Sequence, residues 1–385
     1  MKQLSKLMLA AVASVALAAP AFAWDFSASG SSSATFKQQT YAPAEGDATT
    51  TADFSSSAGG VTISSSNSDG ANSATFSYTA DYNSDGDALN FDEYVSVSGS
   101  KKVGNWTASS ATTQYMQKDS TAGTPMTSNG SAVITLTDGS ITYKLGNAAH
   151  LSTAEKTSGG PMDGTQDAEA SVDAFDGFSV GLGVGPGTLT VALEMGSTGS
   201  SKGAGDATYL GEGTGGGAAL TCGAQKTGFG LNFAGDVGAD LTFTYGSGSA
   251  AMGSGCTDNA SANAATYSVM GLGVAVPVGA MTIALDYGTN VALWTIDNAQ
   301  GGSANAGWEI SLVMPVGDAT AGVNRSSKAT ITTEDAVAVD ATVKGGTELW
   351  YTVPIGAVSL SAGYGSEAVD GATTTQIGAE MSMSF

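Results

Sequence analysis

Carboxylates are the main chemistry-bearing groups of this 385-residue chain, with 35 Asp and Glu against 13 Lys and Arg and a net charge of −22. They gather in two ways. Glu155, Asp163, Asp167, Glu169, Asp173 and Asp176 crowd one polar stretch. Glu194, Asp240, Asp286, Glu309, Glu348 and Glu380, together with Lys144, are instead spaced singly along stretches in which every second residue is apolar. Carboxylates arrayed along a water-filled path attract cations and disfavour anions. The same charge excludes a general nucleic-acid binder, which must present a basic surface.

A second arrangement is local. In 81–92, Asp81, Asn83, Asp85 and Asp92 offer side-chain oxygens, Asp87 offers its carbonyl and Gly86 allows a sharp bend. The order resembles an EF-hand-type calcium loop, which implies Ca2+ as a ligand. Three features depart from it: Asp at the twelfth position, Ala88 where an aliphatic residue is usual, and strands alongside instead of helices. An Asp/Asn/Gly turn is the simpler reading. No other cofactor is implied. Cys222 and Cys256 are the only cysteines. In an exported chain an even pair favours a disulfide, here closing a loop of ~34 residues worth ~3–4 kcal/mol. Catalysis finds little support, since His150 is the single histidine and no P-loop, dinucleotide fingerprint or Cys/His cluster is present. The chain is not expected to be an enzyme.

The elements that carry these groups read as strands. Lys2 and Lys6 precede an apolar run over 7–19, and Ala21-Phe22-Ala23 fits a small-x-small cleavage site. That predicts a signal peptide over 1–23, leaving one exported domain over 24–385. No later stretch is long and apolar enough for a membrane helix. From 131 onward six hairpins follow one another, with Asp138-Gly139, Gly185-Pro186-Gly187, 235–238, Pro277-Val278-Gly279, Pro315-Val316-Gly317 and Pro354-Ile355-Gly356 at their tips. Pro pre-sets φ and Gly tolerates positive φ, so these turns have a mechanism. Five further strands are read near 25–36, 51–66, 72–82, 91–99 and 103–116, and a last one at the carboxy terminus. The expected count is eighteen, with sixteen as the alternative. Short turns at one end and long polar loops at the other predict an all-β transmembrane up-and-down antiparallel barrel, its turns periplasmic and its loops extracellular.

Alternation assigns the faces. Ile141, Tyr143 and Leu145 share one face, as do Leu189, Val191, Leu193 and Met195; Met281, Ile283, Leu285 and Tyr287; and Leu360 and Tyr364. These should meet lipid. The tyrosines, with Trp308 and Tyr351, suit interfacial girdles. Lys144, Glu194, Asp240, Asp286, Glu309, Glu348 and Glu380 fall on the opposite face and should point inward.

The hairpin Ile134-Thr135-Leu136-Thr137-Asp138-Gly139-Ser140-Ile141-Thr142-Tyr143-Lys144-Leu145-Gly146 resembles the porin strand pair that precedes the constriction loop. The closing segment 376–383 with Phe385 resembles the assembly signal of outer-membrane barrels. The chain is therefore similar to Gram-negative general diffusion porins over 131–385. That resemblance implies a homotrimeric channel, inserted by the barrel assembly machinery among outer-membrane lipid, with loop 147–174 folded into the lumen. Two features depart from the family. Arg325 is the only arginine, so no basic cluster faces the loop acids, and Thr157-Ser158-Gly159-Gly160-Pro161 lacks the usual loop sequence. The function expected is passive diffusion of ions and small hydrophilic solutes with a cation bias. The alternative is a calcium-ordered structural or adhesive surface protein.

Overall fold

Ser, Thr and β-branched residues in period-two order make extended chain the favoured state along most of this sequence. The computed structural model describes residues 24–85, 88–117, 131–160, 175–197, 224–252, 265–293, 302–326, 329–331, 341–369 and 372–384. Their regular structure is entirely β. The strands are β1 (Asp25–Ala42), β2 (Thr49–Ser68), β3 (Asn72–Asp85), β4 (Ala88–Val103), β5 (Trp106–Gln117), β6 (Ser131–Thr137) and β7 (Ile141–Ala148). Then come β8 (Phe175–Val184), β9 (Gly187–Ser197), β10 (Ala224–Asp236), β11 (Asp240–Met252), β12 (Ala265–Val278) and β13 (Met281–Leu293). The last are β14 (Gly302–Val316), β15 (Ala319–Ser326), β16 (Ala329–Ile331), β17 (Ala341–Ile355), β18 (Val358–Val369) and β19 (Ala372–Ser384).

Consecutive strands pair, the described ladders are antiparallel, and β1 also pairs with β19, so the sheet closes on itself. β15 and β16 both lie between β14 and β17, so they are two pieces of one interrupted strand. The barrel thus has the eighteen strands expected. The amino-terminal strands run longer than their apolar residues suggested: β1 continues to Ala42 and β4 starts at Ala88. Ser and Thr extend these ladders because their hydroxyls pair across strands, as in Ser73–Ser100 (2.7 Å) and Ser96–Thr113 (2.8 Å).

Eight connections at one end are tight, and each holds a glycine at positive φ: Gly70, Gly104, Gly139, Gly185, Gly238, Gly279, Gly317 and Gly356. At Gly139 the φ of 93° is in the left-handed region that other residues avoid. Asp138 completes that turn by accepting from the amides of Ser140 and Ile141, both at 2.9 Å. Those bonds, the Ile141 amide foremost, hold its carboxyl below the ordinary aspartate range.

The strands divide into two compact units. In the unit built on 57–136, polar cross-strand pairs dominate, among them the hydrogen bond from the Tyr78 hydroxyl to Glu93 at 2.8 Å. In the unit built on 32–56 and 137–383 the two faces are sharply sorted. Trp308, Ile310, Leu285, Leu349 and Tyr351 are exposed at about 40% or more, whereas their strand neighbours Asp286, Glu309 and Glu348 are 1–3% exposed. The charged face is the covered one.

Candidate functional site

The covering is supplied by 149–160, the segment that follows β7. It lies along the inward face of β8–β17, and its own backbone amides and carbonyls make the contacts. The amides of Lys156 and Thr157 both donate to Asp286, at 2.9 and 2.8 Å, and the Thr157 hydroxyl adds a bond of 2.6 Å. That hydroxyl also approaches Glu309 at 3.2 Å. The Ser158 amide donates to Ser311 Oγ at 3.3 Å, and the Gly160 amide to Glu348 Oε2 at 3.0 Å. In the other direction, Asn232 Nδ2 and the Thr244 hydroxyl donate to the Ser152 carbonyl, and Asn324 Nδ2 to the Ser158 carbonyl.

Ladder register explains why these groups converge. Asp286 pairs with Glu309, Ser311 with Asn324, and Asn324 with Glu348, so they form a continuous polar row. A carboxylate accepting backbone N–H bonds gains about 1.5–3 kcal/mol per bond. Several such bonds offset the burial of the acids and order a segment that has no regular structure of its own.

Three further features seat the segment. Lys156 Nζ reaches Asp240 on β11 at 2.9 Å. Leu151, Phe175, Ala192 and Val269 form a small apolar cluster under its root. Gly160 lies so close to Glu348 and Trp350 that a Cβ there would collide with both. His150 is buried, its Nε2–H donating to the Gly146 carbonyl at 2.9 Å while Nδ1 faces the Ser179 hydroxyl at 2.9 Å. Its ring packs on Phe175 with centroids 4.6 Å apart. Burial lowers its pKa, and Lys144 nearby lowers it further.

The sequence-selected residues therefore separate into groups. Asp286, Glu309 and Glu348 meet the segment, and Glu194 is buried on the same face. Glu380 is half-buried and accepts from the Thr35 hydroxyl at 3.3 Å. Lys144 donates to the Ala149 carbonyl at 3.2 Å. Glu155 and Asp176 are exposed, Asp176 accepting from Asn147 Nδ2 at 3.1 Å. Asp163, Asp167, Glu169, Asp173, Cys222 and Cys256 lie outside the described residues. So do Gly86, Asp87 and the side chains of the other 81–92 residues, but the backbone there is a hairpin in which Asp81 pairs with Asp92 and Asn83 with Asn90.

Sequence reasoning missed Lys156, Thr157, Asn232, Asn324 and Trp350. Period two places Asn232 and Asn324 on the inward face. Nothing in the order of residues says that the loop backbone would be their partner.

The chain matches no protein-family profile and no curated protein. Solved structures do match. A mutant of the Rh. blastica porin aligns at 13% identity with a TM-score of 0.42, covering 94% of this chain and 100% of that one. OpdL of Pseudomonas aeruginosa aligns at 9% identity with a TM-score of 0.51, covering 94% of this chain and 99% of that one. At such identity it is the fold that is shared, and the chain is built on a porin-type closed antiparallel barrel.

Proposed function

We propose that this chain is an outer-membrane porin that passes ions and small hydrophilic solutes by passive diffusion, with a bias to cations. One observation carries the reading: the inversion of faces. Along β14, exposed Trp308 and Ile310 flank Glu309, which is 3% exposed. Along β17, exposed Leu349 and Tyr351 alternate with buried Glu348 and half-buried Trp350. A barrel folded in water would put the apolar set inside, because apolar burial drives folding there. In a bilayer the arrangement reverses, since an outward charge must sit in hydrocarbon. A barrel of this size with a polar interior holds water, not a packed core.

The segment 149–160 narrows that interior. Among the described residues, inward acids outnumber inward bases: Glu194, Asp240, Asp286, Glu309, Glu348, Glu367 and Glu380 against Lys37, Lys144 and Lys156. That excess favours cations. No catalytic role is assigned. Export by a signal peptide over 1–23, insertion by the barrel assembly machinery and a homotrimeric state belong to the same proposal.

Purified protein reconstituted in planar bilayers tests it. We expect stepwise ion currents and, in a salt gradient, a reversal potential of cation-selective sign. Absence of conductance from correctly folded protein would overturn the channel reading. An anion-selective potential would overturn the charge argument alone.

A further inference from the structure

We infer that the outward face of β15, β17, β18 and β19 holds a site for a lipid headgroup that exposes a phosphate, in the leaflet on the long-loop side. The inference rests on the lipid-facing belt proposed above. Its centre is Arg325, the only arginine of the chain. On β15 the inward residues Gly322, Asn324 and Ser326 are buried, and Arg325, between the last two, is exposed. It pairs on one side with Ile310, which is 40% exposed, and on the other with Thr347. The guanidinium therefore stands on the face that carries the apolar belt.

Register turns this one cation into a patch. Arg325 pairs with Thr347, Thr347 with Ser366, and Ser366 with Thr375. A guanidinium and three hydroxyls thus follow one another across four strands. Arg325 Nη1 donates to the Thr347 hydroxyl at 3.4 Å, and no carboxylate pairs with it among the described residues. The neighbouring outward row, on the side of the tight turns, is Val323, Leu349, Tyr364 and Ile377. Polarity therefore switches between one outward position and the next on all four strands.

The tilt of the strands places that switch at the bilayer surface. Strands in such barrels tilt by ~35–45°, so a ladder row crosses the membrane obliquely. The row through Arg325 begins with Leu285 and Ile310 on β13 and β14. Arg325 lies further along the chain from Gly317, and Thr347 and Ser366 further from Gly356, than Leu285 does from Gly279. The row thus climbs away from the turn end and leaves hydrocarbon at Arg325. The penalty for an outward basic residue falls steeply there, and its long side chain extends to the headgroups.

Phosphate fits these donors. The guanidinium presents two parallel N–H groups to two oxygens, and the hydroxyls are left for a third. A phosphodiester capped by choline has fewer free oxygens and brings a second cation beside Arg325. The net charge of −22 repels anions in general, so an anionic headgroup is held here by local donors or not at all.

Native mass spectrometry of the folded full-length protein in detergent, titrated with dioleoyl phosphatidate, tests the site. We expect saturable binding, with dioleoyl phosphatidylcholine at least about tenfold weaker. Arg325→Gln should weaken phosphatidate binding by about tenfold or more, as loss of charge-assisted bonds predicts. Arg325→Lys keeps the charge, loses the fork and should recover only part of the affinity. Lys101→Gln removes the same charge from an exposed position on β4 and should leave binding unchanged. Equal weakening by Lys101→Gln and Arg325→Gln would reveal diffuse attraction and overturn the site, as would undiminished binding in Arg325→Gln. Displacement of phosphatidate by inorganic phosphate at matched concentration would overturn the lipid assignment in favour of a free-anion site. In planar bilayers Arg325→Gln should conduct like the unaltered protein, and a changed conductance would put the side chain in the channel and overturn the site. Absence of current from the unaltered protein overturns the channel reading alone, because lipid binding is read without it.

Discussion

Asp286 and Thr157 are joined twice: Asp286 Oδ2 accepts from the Thr157 amide at 2.8 Å and from the Thr157 hydroxyl at 2.6 Å. One strand residue therefore fixes the backbone and the side chain of a segment 129 positions earlier. Asp286→Ala removes these bonds and the one from the Lys156 amide. At about 1.5–3 kcal/mol for each bond to a charged group, the local loss is large compared with what orders the segment. The barrel ladder does not depend on it, so Asp286→Ala should still assemble. Its single-channel conductance should rise and its open-channel noise increase. Unchanged conductance and noise in folded Asp286→Ala would show that the other anchors suffice.

Gly322 and Trp350 face each other across β15 and β17. A Cβ on Gly322 would fall within the Trp350 ring, and one on Gly160 would meet the opposite part of the indole and Glu348. The ring is thus held between a wall glycine and a loop glycine. Gly322→Leu should cost about 1–3 kcal/mol by overpacking and lower the yield of heat-modifiable barrel on gels. Adding Trp350→Ala should restore the yield by vacating the space. If the double variant folds no better than Gly322→Leu alone, the contact between these residues is not what limits packing.

How far the sequence could be read depended on periodicity. The hairpin at Asp138 and Gly139 and the Pro-x-Gly turns are local signals, and the strand order follows from them. The alternation around Leu285 and Asp286 assigns faces for the same reason. Trp350 was hidden because Leu349, Trp350 and Tyr351 are three large residues in a row, and alternation cannot say which of them points inward. The anchoring of 149–160 was hidden for a different reason. Its contacts run through backbone amides, which every residue has, so no residue type in 156–160 announces them. Wall acids expected to line open water instead hold that backbone.

His150 links the segment's root to pH. Burial depresses its folded pKa below the ordinary histidine value, so the folded state keeps the ring neutral. The neutral ring already satisfies both contacts, with Nε2–H donating to Gly146 and Nδ1 accepting from the Ser179 hydroxyl. Above the unfolded pKa of about 6.5 this arrangement contributes its full stability. As pH falls below that value the unlocked segment takes up a proton more readily than the locked one, and stability is lost. Protection factors for amide exchange at the root of 149–160, which remove the intrinsic pH dependence of exchange, should therefore fall between about pH 7 and about pH 5. His150→Gln, which cannot titrate, should flatten the change. An identical pH profile in His150→Gln would show that His150 is not the titrating group.

The outward face gives the most direct test of where this barrel resides. Leu193 is 43% exposed on β9, and Thr190 on the same strand points to the opposite face, opposite Asn232. In water, a charge at an exposed position such as Leu193 is nearly neutral for stability, within about ±0.5 kcal/mol. In a bilayer, an arginine on the lipid face costs about 2–4 kcal/mol at the midplane. Leu193→Arg should therefore lower folding into lipid vesicles by that amount in urea titrations. Thr190→Lys, reaching into the interior, should cost much less. If both substitutions are tolerated equally in vesicles, the apolar belt is not a lipid-facing surface, and the inversion of faces needs another cause.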